Sequence, residues 1–284
     1  MVTFLKIRVL ARRLPASPVA PRAQSAMMES VIDLHAHILH GMDDGPATLE
    51  QSLDMVRLAA HAGTAEIVAA VHASRAWPFD PALAHRRWEE LQHLARDLIR
   101  IHRACEVELT DELVRKVLAQ PARYTIAGAR YLLVELPDGA EAKEMGGLIM
   151  ELIGAGLRPV IAHPELHPGL SRSPRTLARW VNSGALVQLS AGSLMGVFGS
   201  RAAKTAAEFL KRGLAHFVAS CAHDLVKRPP RLDAVRLQLL AAYPPEFVDL
   251  LLEEHPRAAV EGRELEPGLL RAPFLKTRWY QIWR

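Results

Sequence analysis

The stretch VIDLHAHILHGMDDG, residues 31–45, sets three histidines and then the pair Asp43-Asp44 behind a short, mostly apolar run. On an extended chain, residues two apart face the same way, so His35 and His37 can grip one ion together. Asp44 follows in a loop, with Gly45 to permit the turn. Further candidates recur along the chain: His72, Glu106, Glu135, His163, and Cys221 with His223. The set comprises five histidines, three carboxylates and one thiol. Nine ligands exceed the demand of one four- to six-coordinate ion and suit two or three, with carboxylates bridging. Neutral imidazoles would leave such a pocket at about −4, so three divalent ions would make it net positive and attractive to an anion such as phosphate. Bound ions can lower the pKa of water to ~7 and stabilise both oxygens of an in-line displacement. Phosphate monoesters are inert enough to need that help.

Short runs rich in branched residues must position these groups. They are VIDLHAH (31–37), EIVAAVH (66–72), ACEVEL (104–109), YLLVEL (131–136), RPVIAH (158–163), ALVQLS (185–190) and HFVASC (216–221). Helical patterns lie between them. Thr48 to Gln51 is a capping box before apolar residues at helical spacing, and Gly63 closes that helix. Asp80-Pro81 and Ser173-Pro174 each place a capping residue before proline at the first helical position. Ser200 begins a helix that Gly213 ends. Strand–helix alternation gives a parallel sheet with helices outside, and seven units predict an α/β fold of the distorted, TIM-like (β/α)7 barrel type. Active sites of such barrels sit at the carboxyl ends of the strands. Six of the seven runs finish on, or just before, a candidate ligand. One such histidine would be an ordinary satisfied group, but six in chain order indicate a metal centre.

Composition sets the outer bounds. With 284 residues, half of them apolar, the chain can bury one large core. The pI of 9.3 is misleading. Residues 1–29 carry five basic groups against Glu29, while the remainder holds 30 of each sign. A body without net charge gives no support to nucleic-acid binding. The basic stretch 1–29 is too interrupted for a secretory signal and reads as a disordered extension, or as an upstream start with Met27 or Met28 the working one. No segment is long and apolar enough to span a membrane. Two cysteines make no disulfide framework, which leaves the reducing cytoplasm as the default location.

The ordered motifs VIDLHAHILHGMDDG, ACEVELTDEL, YLLVELP, PVIAHPE, ALVQLSAGSLMGVFG, HFVASCAHD, KRPPRL and HPRAAVEGREL resemble the PHP (polymerase and histidinol phosphatase) superfamily. More narrowly, they are similar to the bacterial tyrosine phosphatases of capsule and exopolysaccharide clusters. The likeness runs from about residue 31 to 265, which makes 30–265 the expected metallophosphatase domain and 266–284 a tail. The resemblance implies a trinuclear centre, commonly manganese with zinc or iron also used. It also implies hydrolysis of phosphotyrosine on an autokinase that controls polysaccharide export. Carried over by motif, the metal ligands are His35, His37, Asp44, His72, Glu106, Glu135, His163, Cys221 and His223. The phosphate clamp falls on Arg228, whose planar fork matches phosphate oxygens. His223 is also a candidate to assist the leaving phenolate.

Three positions depart from the family pattern. Cys221 stands where the family has aspartate: as a thiolate it would favour zinc or iron, and as a protonated thiol it would leave one ion weakly held. Leu166 stands where arginine usually follows HPE, so one anion contact is missing unless Arg172 or Arg175 reaches in. The usual proline and second histidine or arginine are absent from AAVHAS. Reduced turnover follows from these changes more readily than a changed fold. A phosphoesterase for a small molecule such as histidinol phosphate, or a weakly catalytic phosphotyrosine- or kinase-binding regulator, are the alternatives. A cysteine nucleophile is disfavoured, because Lys227 occupies the position where arginine is required and the loop lacks glycine. His85, His93 and His102 read as solvent-facing. Trp77, Pro78 and Phe79 are candidates for the rim of the site or for packing. GSLMGVFGS reads as a flexible loop at its mouth, LLEEHPRAAV as a terminal helix, and FLKTRWYQIWR as a tail that covers an apolar patch or engages a partner.

Overall fold

The computed structural model describes residues 31–142 and 144–266 together with Gly268 and Leu270. The expectations for residues 1–29 and for the tail beyond Leu270 lie outside the described residues. Seven strands form one sheet in sequential order: β1 (Val31–Ala36), β2 (Thr64–Ala73), β3 (Arg100–Glu108), β4 (Tyr131–Glu135), β5 (Arg158–Ala162), β6 (Leu186–Ser190) and β7 (Phe217–Ala219). Every neighbouring pair is parallel. The circle is nearly closed by a parallel bridge between Ala36 and Ala222. This is the distorted seven-unit barrel that the alternation predicts.

Local chemistry starts the connecting helices as expected. Thr48 Oγ1 accepts the Gln51 N–H and Gln51 Oε1 accepts the Thr48 N–H, a complete capping box ahead of helix Leu49–His61. Asp80 Oδ1 accepts from Ala82 and Leu83 N–H before helix Pro81–Ala95. Helix Pro174–Asn182 starts at proline, but Ser173 turns its hydroxyl to Thr176 Oγ1 instead of to the backbone.

The strands obey a period of two. Val68, Ala70, Ala104, Tyr131, Leu133, Val160, Leu186, Phe217 and Ala219 point inward and pack with Ile32 and Leu34, against Ala259 and Val260 of the last helix, His255–Glu261. The alternate residues, such as Ile67, Val71, Val107, Val134, Ile161 and Val187, pack outward against the helices. Two residues beyond the inward apolar positions come His72, Glu106, Glu135, Gln188 and Cys221. On these five strands one face is thus oily below and polar above, whereas His35 and His37 lie at and beyond a register shift in β1 and His163 follows β5 at a positive φ.

The amino-terminal end of the barrel is held by different contacts. Glu66 accepts from His102 Nε2 at 2.6 Å and from Arg257 Nη1 at 2.8 Å, tying β2, β3 and the last helix. His102 therefore lies in β3, buried, and is not solvent-facing as its Arg-rich context suggests. His85 and His93 are exposed as expected. The Tyr131 hydroxyl donates to Arg263 O at 2.5 Å and accepts from Leu265 N–H at 3.0 Å, strapping the returning chain beneath the barrel. Glu66→Gln should cost about 1–3 kcal/mol, lowering Tm by ~2–4 °C per kcal/mol in thermal melts at pH 7. Burial pushes the Glu66 pKa up, but the bonds to His102 and Arg257 outweigh it and hold it below the ordinary 4.5. This contribution is present above pH 4.5 and is lost as pH falls through the depressed folded-state value, so the gap between wild type and variant should close in acid.

Candidate metal centre

All nine predicted side chains converge at the carboxyl end of the barrel. Glu106 is the hub: it is 1% exposed, and its two oxygens meet four imidazoles. His163 Nε2 lies 2.8 Å from Oε1, while His35 Nε2 and His37 Nε2 lie 3.2 Å and His72 Nδ1 3.4 Å from Oε2. Glu135 comes within 3.9 Å of both His72 and His163. Asp44 Oδ1 lies 3.4 Å from His72 Nε2 and 3.3 Å from His223 Nε2. Cys221 Sγ is 3.9 Å from His35 Nδ1. Ligand atoms fall into four sets, each within 4.8 Å: His37, Asp44, His72 and His223; His35, His163 and Cys221; His35, His37 and Glu106; and His72, Glu106 and Glu135.

The partners of each ring show whether a cation fits. His35 Nδ1–H donates to Gln188 Oε1 at 2.9 Å, His37 Nδ1–H to Asp43 Oδ2 at 2.8 Å, and His223 Nδ1–H to Cys221 O at 2.9 Å. These bonds assign the tautomers and leave each Nε2 with a lone pair. The Nε2 atoms of His35 and His37 then face each other at 3.0 Å and both face Glu106. His223 Nε2 likewise confronts Asp44 Oδ1. Acceptors turned toward acceptors in a buried site need positive charge between them, and carboxylate-backed imidazoles are the usual dress of metal ligands.

Without ions, protons serve that need. Burial pushes the His37 ring down, but Asp43 and Glu106 outweigh it and raise its pKa to about 9. Burial opposes and Glu106 dominates again at His163, also raised to about 9. Burial pushes Glu106 up, yet the charges of His35 and His163 bring it well below the usual carboxylate range. At His223 burial wins, and the ring is held down to about 4.

Two functional residues escape a motif reading. Asp43, next to the expected ligand Asp44, turns away from the cavity and accepts from the His37 ring, from His72 N–H at 2.9 Å and from Gly45 N–H at 3.0 Å. Nothing in a DD pair says which member ligates. Gly45 is needed for closeness rather than for a special backbone angle, since a Cβ there would meet His37 O at 2.9 Å. Gln188, fully buried, orients His35 and donates to Cys221 Sγ at 3.2 Å and Leu189 O at 2.8 Å. Its signal was parity: it lies two residues after inward Leu186 on the one strand without a terminal ligand.

Backbone strain sits at the site. His163 and Cys221 adopt φ of 33° and 50°, a region that non-glycine residues rarely occupy. Cys221 N–H donates to His35 O at 2.9 Å and His37 N–H to Ala222 O at 2.8 Å, so the bonds that close the barrel belong to the site. The loop bearing Arg228 is folded on itself: Asp224 Oδ1 accepts from Val226 and Lys227 N–H, and His223 N–H donates to Arg228 O at 2.9 Å. Arg228 Nη2 reaches Asp44 Oδ2 at 3.2 Å.

The cavity has a volume of about 280 Å³, and its outer wall includes Leu136, Leu166, Phe198 and Arg228. Arg172 and Arg175 are exposed and do not line it, so neither replaces the missing arginine. Trp77, Pro78 and Phe79 do not form its rim; Phe79 packs on Tyr124 with ring centroids 5.2 Å apart. GSLMGVFGS is a helical turn, Ala191–Leu194, leading into helix Gly199–Lys211, and it presents Phe198 to the cavity.

A seven-stranded α/β barrel with a buried imidazole–carboxylate cluster at its carboxyl end defines a metallohydrolase-type protein. The comparisons narrow it: residues 31–261 match the family model for capsular polysaccharide synthesis, CpsB/CapC, and the chain belongs to that family. It is 32% identical over 202 residues to the tyrosine-protein phosphatase YwqE of Bacillus subtilis, covering 70% of this chain and 79% of that one. It is 27% identical over 211 residues to the tyrosine-protein phosphatase CpsB of Streptococcus agalactiae, covering 71% and 86%. A crystal structure from work on YwqE of B. subtilis and CpsB of Streptococcus pneumoniae, described as metal-dependent tyrosine phosphatases, superposes with a TM-score of 0.71 at 28% identity, over 84% of this chain and 99% of that one. An amidohydrolase from Mycoplasma synoviae shares the fold alone, with a TM-score of 0.55 at 12% identity over 87% and 91%.

Two measurements follow. At pH 7.5 the ion-free His37 and His163 rings are charged, so loading with a divalent ion should release about two or more protons per chain, and affinity should rise with pH until about 9. Calorimetry in buffers of different ionisation enthalpy counts them. Gln188→Leu frees the His35 ring and should weaken ion affinity ~10–100-fold in competition with a chromophoric chelator.

Proposed function

We propose that this chain is a metal-dependent protein-tyrosine phosphatase and that residues 30–265 form its PHP-type metallophosphatase domain. In this reading His35, His37, Asp44, His72, Glu106, Glu135, His163, Cys221 and His223 hold two or three divalent ions, with manganese, zinc or iron the candidates. The observation that carries it is the convergence of these nine side chains in one cavity beside Arg228, in a chain whose relatives are named tyrosine-protein phosphatases. When bound, the ions supply Lewis acidity, lowering the pKa of water and offsetting charge on phosphoryl oxygens.

The protein's own groups do the rest. Arg228 stands half-buried at the mouth, tethered to Asp44, with most of its five N–H donors unspent. It clamps nonbridging phosphate oxygens, and its fixed fork resists rotation of the phosphoryl group. Leu136, Leu166 and Phe198 offer an apolar wall that suits an aryl group and gives a short alkyl phosphate little to bury. His223 is neutral at pH 7, with its one proton committed to Cys221 O. It therefore enters this proposal as a ligand and not as the acid for the leaving phenolate. The partner in this reading is a phosphotyrosine protein, a bacterial autokinase that governs capsule or exopolysaccharide export, met in the cytoplasm. Among the described residues no helix is long and apolar enough to cross a membrane.

The test is turnover by metal-loaded protein on phosphotyrosine peptide, phosphoserine peptide and histidinol phosphate. Phosphotyrosine should be preferred, and Arg228→Ala should lower kcat/KM about 10²–10³-fold with ion content unchanged. Preference for histidinol phosphate, or no turnover by fully loaded protein, would reject the proposal.

A further inference from the structure

One ligand set in the cavity differs in kind from the rest. His37, Asp44, His72 and His223 include a carboxylate, as do the two sets built on Glu106, whereas His35, His163 and Cys221 present only nitrogen and sulfur. We infer that the centre is chemically divided: Cys221 binds as a thiolate and makes one position soft, selecting zinc or ferrous iron, while the carboxylate-bearing positions take harder ions such as manganese or magnesium. This deepens the phosphatase reading and rests on it.

Three observations place the sulfur deliberately. Cys221 is held at φ 50°, a conformation that a β-carbon disfavours, and its N–H is spent on His35 O. Its Sγ is buried and receives an N–H from Gln188 at 3.2 Å. A hydrogen bond of this kind strengthens when the acceptor carries charge. The same Gln188 amide accepts from His35 Nδ1–H, so one side chain aims two members of the set. The other cysteine supplies the contrast. Cys105 lies on the outward face of β3 among apolar residues, and its thiol donates to Arg123 O at 3.8 Å.

Softness then decides the ion. Thiolate and imidazole favour zinc and iron, and carboxylate-rich positions favour manganese and magnesium. Binding breaks the S–H bond: the proton passes to solvent, the sulfur keeps the electron pair and donates it to the ion, and nothing is oxidised or reduced.

Cobalt reports this directly, because a thiolate ligand gives a sulfur-to-cobalt charge-transfer band in the near ultraviolet. Titrating the ion-stripped full chain with cobalt should give that band, saturating at about one cobalt per chain while further cobalt binds without adding to it. Zinc should remove the band at concentrations at which manganese does not. Cys221→Asp should abolish the band and keep the total cobalt bound, and Cys105→Ser should leave it intact. Bound cobalt without the band in the unmodified chain overturns the inference, whether or not the variants fold. Loss of the band in Cys105→Ser with retention in Cys221→Asp overturns it equally. If loaded protein turns over phosphotyrosine with no band, this inference alone fails; if the chain binds no ion at all, the phosphatase reading fails with it.

Discussion

A single buried carboxylate, Glu106, organises this protein. Burying an anion is costly unless charge is returned to it, and here four imidazoles from three segments return it. Each imidazole then needs its own orientation, which accounts for Asp43 behind His37 and Gln188 behind His35. Those supports are buried in turn and draw on backbone groups of β2 and β6. The polar network thus reaches outward from one side chain until secondary structure absorbs it. A network so complete is rigid, which suits a site that must hold like charges close together.

The barrel separates two tasks along its strands. Below, alternating small and large apolar residues fill the interior, and Glu66, His102, Arg257 and Tyr131 tie the amino-terminal end. Above, the same inward parity delivers His72, Glu106, Glu135 and Cys221. Stability and chemistry are therefore written in one register, and a strand that slipped by a single residue would lose both.

Much of this was legible in the sequence for that reason. Runs such as YLLVEL show the alternation and the polar terminus together, and the Thr48 box and Asp80-Pro81 mark helix starts by local chemistry alone. What stayed hidden depends on contacts between distant segments. His102 looks solvated among arginines until β2 brings Glu66 to it. Asp43 and Asp44 are identical in type and adjacent, and only the fold of the loop onto His37 separates support from ligand. Gln188 is not a common ligand type, so a search for metal-binding residues passes over it, although its position in ALVQLS matches the ligands of neighbouring strands. Nothing local decides between rim and packing for Trp77–Phe79, and only the fold shows Phe79 packed on Tyr124 while Phe198 of GSLMGVFGS reaches the cavity.

The manner in which the barrel closes has a consequence for its assembly. The first and last strands join through Cys221 N–H to His35 O and His37 N–H to Ala222 O, with Asp33 Oδ1 taking the Ser220 N–H where a backbone rung would otherwise stand. This seam is short, and every residue that makes its two backbone bonds is a candidate ligand or sits beside one. In the proposed reading, ions held there would act as rivets between chain ends of the barrel, and their binding free energy would stabilise the folded state alone. Closure of the cylinder and uptake of ions would then be linked, each favouring the other.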